Sequence, residues 1–287
     1  MKDVSSWERI GYGGKSTLEK EELLKPFTEE KYLIKYPRIP QIGVSWEDVT
    51  ELIAAIIGQL LDLNMMDVEI VMRDKRRGSL LKNFIPTGVT NEEGGSMLSM
   101  LDSYQYFLEC NLSGKELIKS GFEQMEQLVF WESIKKDFIE MNFFDILIGN
   151  QDRHPYNWMV LFHTPQEQVL STIYDNGASL GFRFDDQKLM TYIKNENKLE
   201  KYMRDSTVKA GLFEKKKVKA LDMAQYLCIY YPKESSAVIR QIKNFDFDKF
   251  HEIIDEHEIL TEKQNQWLKL IVSFRRRKLL QWIGEEE

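Results

Sequence analysis

Cysteine is nearly missing from this sequence, with only Cys110 and Cys228 among 287 residues. The two lie far apart, without metal-ligand spacing, in the apolar contexts YFLEC and YLCIYY. A disulfide scaffold is excluded, and two buried free thiols in a reducing, cytoplasmic setting are expected. Long apolar runs are missing too. The longest, within NFFDILIG, falls far short of the roughly 20 residues that cross a bilayer. The opening MKDVSSWERI has no apolar core of a secretion signal, so neither export nor a membrane partner is expected. Basic excess is absent. A net charge of −7 gives no global attraction to nucleic acid or anionic membrane, and no direct nucleic-acid binding is expected. Histidine is scarce, and His163, His251 and His257 match no ligand pattern. No internal repeat or low-complexity tract is evident.

What is present is enough apolar and aromatic material, 43% and 12%, to bury a real core in one large domain or two modest lobes. YLIKY (32–36) reads as a strand, ELIAAIIGQLLDL (51–63) as a helix apolar on most faces, DVEIVMR (67–73) as a strand, and SLLKNFI (79–85) as another after the polar turn DKRRG. The polar, Gly-rich PTGVTNEEGG (86–95) reads as a loop and marks the expected boundary between a β-rich unit, 1–88, and a helical unit, 89–287. Trp131, Ile134, Phe138 and Met141 form a helical stripe. A final helix, 262–283, starts with a capping box of Thr261 and Gln264 and stops at Gly284. The runs Lys215–Lys217 and Arg275–Lys278 read as solvated helix faces, and Trp267, Phe274 and Trp282 as core. One hairpin, WMVLF and VLSTIYD about the turn HTPQEQ, interrupts the helices.

The residues at the two ends of that hairpin carry chemistry. Asp152 and Asn157 stand five apart in DRHPYN, and Asp175 follows STIY. Phosphoryl transfer needs a carboxylate to orient or deprotonate the attacking hydroxyl, and oxygen ligands for magnesium. The ends of a hairpin lie side by side, so Asn157 and Asp175 can share one metal. The same residues can also form a plain capped loop followed by an Asn176-Gly177 turn.

IGNQDRHPYNWMVL followed by YDNGASLGF resembles the catalytic loop and metal segment of the HipA-like serine/threonine kinases. Gly149, Asn150, Asp152, Arg153, His154 and Asn157 fill every fixed position of its GNxDRHxxN pattern. The family takes in CtkA-like kinases and is distantly related to phosphatidylinositol kinases. The resemblance implies a two-lobed, protein-kinase-like α+β fold, Asp152 as catalytic base, and Asn157 and Asp175 as ligands of Mg2+. Arg153 and His154 would support the loop or contact the γ-phosphate.

The N-terminal half supplies matching parts. Lys35, mid-strand in YLIKYP, is similar to the family's ATP-holding lysine, although a solvated strand lysine reads the same way. IGYGGKST resembles the family's short Gly-rich loop, in which Gly11, Gly13, Gly14, Lys15 and Ser16 would cover ATP phosphates. A Walker A loop is excluded: the residue five before Gly14 is Arg9 rather than glycine, and SSWER is no buried strand. Glu51 resembles the family's helix-start glutamate and is expected near Lys35, unless it is a first-turn acid serving the helix dipole. Lys82, Asn83 and Phe84 would receive adenine where the chain crosses between lobes; Phe84 reads equally as core.

The leading implication is an ATP- and magnesium-dependent serine/threonine protein kinase, acting as a toxin or effector, with Ser16 and Thr17 as autophosphorylation candidates. A lipid or small-molecule kinase of the same fold, and a nucleotide-binding pseudokinase, are the alternatives. The likeness spans about residues 9–181, and the chain reaches its Gly-rich segment almost at once. It therefore resembles the shorter, kinase-core members, which implies a protein substrate and a separately encoded antitoxin or regulatory partner. Asn176-Gly177 replaces Phe-Gly after Asp175, so regulation by a flipping aromatic is not expected.

Overall fold

The computed structural model describes residues 1–13, 18–39, 43–164 and 166–285; Gly14, Lys15, Ser16 and Thr17 lie outside the described residues. In chain order the N-terminal part comprises β1 (Lys2–Asp3), β2 (Glu8–Tyr12), β3 (Lys20–Leu24), β4 (Lys31–Lys35), α1 (Glu47–Leu60), β5 (Val68–Arg73) and β6 (Arg76–Lys82). The strands form one sheet in the order β1-β5-β6-β4-β3-β2. The short β1 pairs parallel to β5, and the other pairs are antiparallel. β4 is therefore interior, with Lys35 opposite Ser79 on one side and Lys20 on the other.

Two expected boundaries move for local reasons. The turn after β5 is only Asp74 and Lys75, both with positive φ, the backbone that a two-residue antiparallel turn needs. β6 consequently begins at Arg76, paired with Arg73, and ends at Lys82 rather than running to 85. α1 begins at Glu47, whose carboxylate with that of Asp48 complements the helix dipole in the first turn. Glu51 thus lies one turn inside α1, not at its start.

The remainder is mainly helical: β7 (Thr90–Glu93), α2 (Gly94–Ser99), α3 (Asp102–Glu109), α4 (Gly114–Met125), α5 (Trp131–Ile148), β8 (Met159–Thr164), β9 (Glu167–Leu170), α6 (Asp186–Ile193), α7 (Glu196–Arg204), β10 (Thr207–Val208), β11 (Val218–Lys219), α8 (Ala220–Tyr230), α9 (Pro232–Lys243), α10 (Phe247–Glu256) and α11 (Glu262–Trp282). The architecture is α+β, a β-rich N-terminal sheet and a helical C-terminal region, as expected. The hairpin is not alone: residues 90–93, read as loop, add β7 to make the sheet β7-β8-β9. β9 stops at Leu170, and Ile173 instead bridges to Met65, tying the chain before Asp175 to the linker that follows α1.

Two apolar cores result. A small one (Val4, Trp7, Leu23, Ile34, Tyr36, Val71, Leu80) lies on the sheet. A large one fills the helical region and takes in Trp46, Val49, Ile53, Ile57 and Leu61 of and around α1. α1 is apolar on most faces because it packs both on β5 and β6 and against the helical core. The capping box at Thr261 and Gln264 is present, and Gly284 takes φ +75° just past α11. Two expectations fail. Cys110 and Cys228 are free but half-buried, since each lies at a helix end. Arg275 is 1% exposed rather than solvated. No helix among the described residues is long and apolar enough to cross a membrane.

Candidate active site

α5 delivers the site. Every residue from Phe138 to Ile148 is buried, so the end of this helix is fixed inside the large core. It stops at Gly149, whose φ of +68° is costly for a residue with a Cβ. A Cβ there would also come within 2.7 Å of the Arg275 guanidinium. Arg275, projecting from α11, donates to the last carbonyls of α5: Nε to Leu147 at 2.9 Å and Nη2 to Ile146 at 2.7 Å. A cation at a helix C-terminus satisfies both orphan carbonyls and dipole. Burial pushes the Arg275 guanidinium below its ordinary range.

Beyond Gly149 each motif residue has a mechanical task. Asn150 donates to Asp145 at 3.0 Å and accepts the Asp152 amide at 3.0 Å. His154 Nδ1 accepts the Tyr156 N–H at 3.2 Å, capping the 3-10 turn Pro155–Asn157. Burial holds this imidazole below its ordinary pKa. Asn157 Nδ2 donates to the Asp152 carbonyl at 2.9 Å, which leaves the amide oxygen Oδ1 as the end that could accept a cation. Asp152 has a side chain 45% exposed and an ion pair with Lys209 at 2.6 Å.

Arg153 is turned into the protein. It is fully buried, and its fork grips Asp145 through Nε at 2.9 Å and Nη2 at 3.1 Å. Nη1 donates to the carbonyls of both Asn157, at 2.8 Å, and Tyr174. Nη2 also donates to Asn176 Oδ1 at 2.5 Å. Of the two roles expected of Arg153, loop support and a γ-phosphate contact, these bonds fit the first. One nitrogen shared by the carbonyls of residues 157 and 174 is what sets the catalytic loop beside the Asp175 segment.

Asp175 has φ +60°, a left-handed backbone that aspartate tolerates better than most residues and that marks a constrained position. Its carboxylate meets Lys35 Nζ at 2.7 Å. Burial is the largest single influence and opposes both charges, but the surrounding opposite charges and the shared hydrogen bond together outweigh it: Asp175 and Glu51 hold Lys35 above its ordinary range, and Lys35, Arg153 and His154 hold Asp175 below. Glu51 does not pair with Lys35 directly. It accepts the amides of Asn176 at 2.9 Å and Gly177 at 2.7 Å, while Thr50 donates to the Gly177 carbonyl at 2.6 Å. Glu51 still lies within the electrostatic reach of Lys35. Gly177 has no room for a side chain, since a Cβ would sit 2.9 Å from the Glu47 carbonyl. The polar Asn176-Gly177 pair is thus a docking turn on α1.

The adenine expectation is partly revised. The amides of Lys82 and Asn83 donate to the carbonyls of Asp67 at 3.3 Å and Lys31 at 3.0 Å, so neither is left for a base. The Phe84 amide makes no hydrogen bond among the described residues. The Phe84 ring, half-buried, stacks on Tyr174 at 5.5 Å, beside Asp175. Gly11 and Gly13 lie on and after β2. A Cβ on Gly13 would overlap the Lys20 side chain at 2.4 Å. Lys20 stands opposite Lys35 in the sheet, on the same face, and burial together with the Lys35 charge pushes its ammonium down.

Four contributors escape a motif reading. Asp145 had a usable signal, a carboxylate within an otherwise apolar helix, which must find a partner when buried. Lys20 is paired to Lys35 only by sheet register. Arg275 hides in a basic run, and Lys209 gives no signal at all. Among the described residues no three His, Cys, Asp or Glu side chains cluster to hold a metal. The donor set suits an ion that completes its shell with phosphate and water: one carboxylate, Asp175, and one amide oxygen, Asn157.

No family model matches the chain. It is similar to the serine/threonine-protein kinase CtkA of Helicobacter pylori (strain J99), 22% identical over 263 residues that span 88% of this chain and 78% of CtkA. Against the crystal structure of the Helicobacter pylori proinflammatory kinase CtkA the TM-score is 0.77 at 21% identity, covering 99% of this chain and 96% of that one. This is the CtkA/HipA-like kinase fold. The same kinase fold is seen in the Shewanella oneidensis MR-1 complex of the toxin–antitoxin proteins HipA and HipB with operator DNA, at a TM-score of 0.54 and 14% identity, over 99% of this chain and 70% of that one. The likeness expected to end near residue 181 therefore runs through the C-terminal helices of the kinase fold as well.

Proposed function

We propose that this chain is an ATP- and magnesium-dependent serine/threonine protein kinase. The observation that carries the reading is the ion pair between Lys35 and Asp175, 140 residues apart, beside a loop in which Arg153, the neighbour of Asp152, ties the Asn157 carbonyl to that of Tyr174. The kinase CtkA, similar along the whole fold, supports it. Residues 1–88 are taken as the smaller lobe and 89–287 as the larger, with ATP between them.

In this reading Lys35, with Lys20 opposite it, holds nucleotide phosphates, and Phe84 offers its amide and ring to the adenine. Asp175 and Asn157 hold magnesium, which when bound neutralises charge on the phosphates being transferred. Asp152, whose side chain is 45% exposed, accepts the proton of the substrate hydroxyl. Arg153, Asn150 and His154 keep the loop in shape and touch no substrate. The fit of the donor set to one hard cation, and the free Phe84 amide, support this assignment. A toxin role, a separately encoded antitoxin, cytoplasmic placement and autophosphorylation at Ser16 or Thr17 belong to the same proposal.

The test is transfer of label from [γ-32P]ATP by the wild-type chain, Asp152→Asn and Asp175→Asn, with and without magnesium. Labelling that requires the metal and falls at least about 1,000-fold in both variants is expected, given what positioning and metal effects contribute. Equal labelling by wild type and Asp152→Asn would remove catalysis from the account.

A further inference from the structure

We propose that Lys209 is the positioning residue of Asp152, holding its carboxylate in the orientation that receives the acceptor's proton; the inference rests on the kinase reading above. Asp152 needs such help. Its side chain is 45% exposed, so packing does not fix its rotamer. Among the described residues Lys209 is the sole donor to that carboxylate, at 2.6 Å. The other loop contacts engage the backbone of Asp152 and leave its side chain alone.

Lys209 is itself held. Its side chain is only 13% exposed, although lysine ordinarily keeps its head in water. It follows the short strand β10, in which Val208 is buried. The next two residues, Ala210 and Gly211, both have positive φ, at 60° and 71°. For alanine that backbone is strained, and such strain persists where the surroundings impose it. Here they do: the Gly211 amide donates to the Arg153 carbonyl at 2.7 Å, and the Trp158 indole donates to the Gly211 carbonyl at 2.9 Å. The loop that carries Lys209 is thus latched to the residue after Asp152 and to the residue after Asn157. A surface ion pair has no such frame and contributes little. An ammonium delivered by a latched, strained turn to the one exposed carboxylate of the loop is an arrangement for aiming that carboxylate.

The experiment is steady-state and single-turnover transfer from Mg-[γ-32P]ATP to the full chain itself and to dephosphorylated casein. Wild type, Lys209→Met, Lys209→Arg, Asp152→Asn and Asp152→Asn/Lys209→Met are compared, with thermal melts and ATP-analogue affinity for each. Expected are a kcat about 10- to 100-fold lower in Lys209→Met, an unchanged KM for ATP, and recovery of most of the loss in Lys209→Arg. The double variant is expected to be no slower than Asp152→Asn alone, since Lys209 acts through Asp152. If the methionine variant does not fold, Lys209→Gln, which keeps length and a donor without charge, takes its place. Transfer lost in Asp152→Asn but retained in Lys209→Met, or a lowered Tm with unchanged kcat, overturns the inference and leaves the kinase reading standing. Strictly additive losses in the double variant overturn it too. Absence of transfer by wild type, or full transfer by Asp152→Asn, overturns the kinase reading and the inference together.

Discussion

Replacing Arg153 by methionine separates what this side chain does for folding from what it does for catalysis. Methionine fills similar space but strands Asp145, which is 0% exposed, without its guanidinium. Breaking a buried pair by removing one partner costs about 3–5 kcal/mol, the uncompensated charge being the main reason. Burial already pushes the Asp145 carboxyl upward, against the pull of Arg153 and Asn150, so the orphaned acid escapes part of that cost by taking a proton. For a chain of this length roughly 2 °C of Tm corresponds to each kcal/mol, which predicts a drop of about 5–8 °C by calorimetry. A second variant, Arg153→Met with Asp145→Leu, removes both charges. It is expected to regain most of the lost Tm, since apolar replacement of a whole buried pair is often neutral. Transfer of label is not expected to return in it, because the ties from Arg153 to the carbonyls of Asn157 and Tyr174 stay broken. Recovery of both stability and transfer by the double variant would refute the claim that Arg153 sets the two segments side by side.

Two further outcomes follow from the same geometry. His154 caps its turn only while Nδ1 is unprotonated, and its folded pKa lies below the ordinary 6.5. The unfolded chain therefore takes up the proton first, and stability falls as pH drops from about 6.5 toward the folded value. Melts of His154→Asn, whose side chain can cap without titrating, are expected to lack that segment of the pH dependence. Arg275→Met leaves the Ile146 and Leu147 carbonyls buried without their donor, a loss of about 1–3 kcal/mol, readable as a Tm lowered by roughly 2–5 °C. A Tm unchanged by that substitution would show that α5 does not need its cationic cap.

The sheet strands, the large helices and the catalytic loop were legible because each is written locally. Periodicity marks α5, Gly149 marks its end, and the spacing of Asp152, Asn157 and Asp175 marks a hairpin between them. Lys82, Asn83 and Glu51 were placed in the right neighbourhood but in the wrong contacts. What decides those contacts is tertiary: the Lys82 and Asn83 amides are consumed by strand pairing, and Glu51 by the backbone of the Asn176-Gly177 turn. β7 was missed because four polar, exposed residues carry no strand pattern; β8 supplies the pairing. Arg275 was misread because three basic neighbours look alike until one of them meets the end of a helix. For Arg153 two roles stayed open, since a motif names which residues recur and not which way they face.

The two carboxylates around Lys35 show why their roles cannot be exchanged. Burial pushes Glu51 upward, against the pull of Lys35 and with that of Asp175, whereas Lys35 draws Asp175 downward. Environments that move two neighbouring acids in opposite directions assign them different work. Glu51 is enclosed, and both of its oxygens are occupied by backbone amides of the turn that carries Asp175. Asp175, 36% exposed, has an ammonium as its partner, and an ammonium is a partner that phosphate can take over. A nucleotide entering between sheet and hairpin would draw Lys35 toward its phosphates and leave Asp175 ionised and unpartnered, the condition in which a carboxylate binds a hard cation best. On the proposed reading the Lys35–Asp175 pair would keep two opposite charges in place until a nucleotide arrives, and Glu51, bound to the amides of Asn176 and Gly177, would keep the turn from following Lys35.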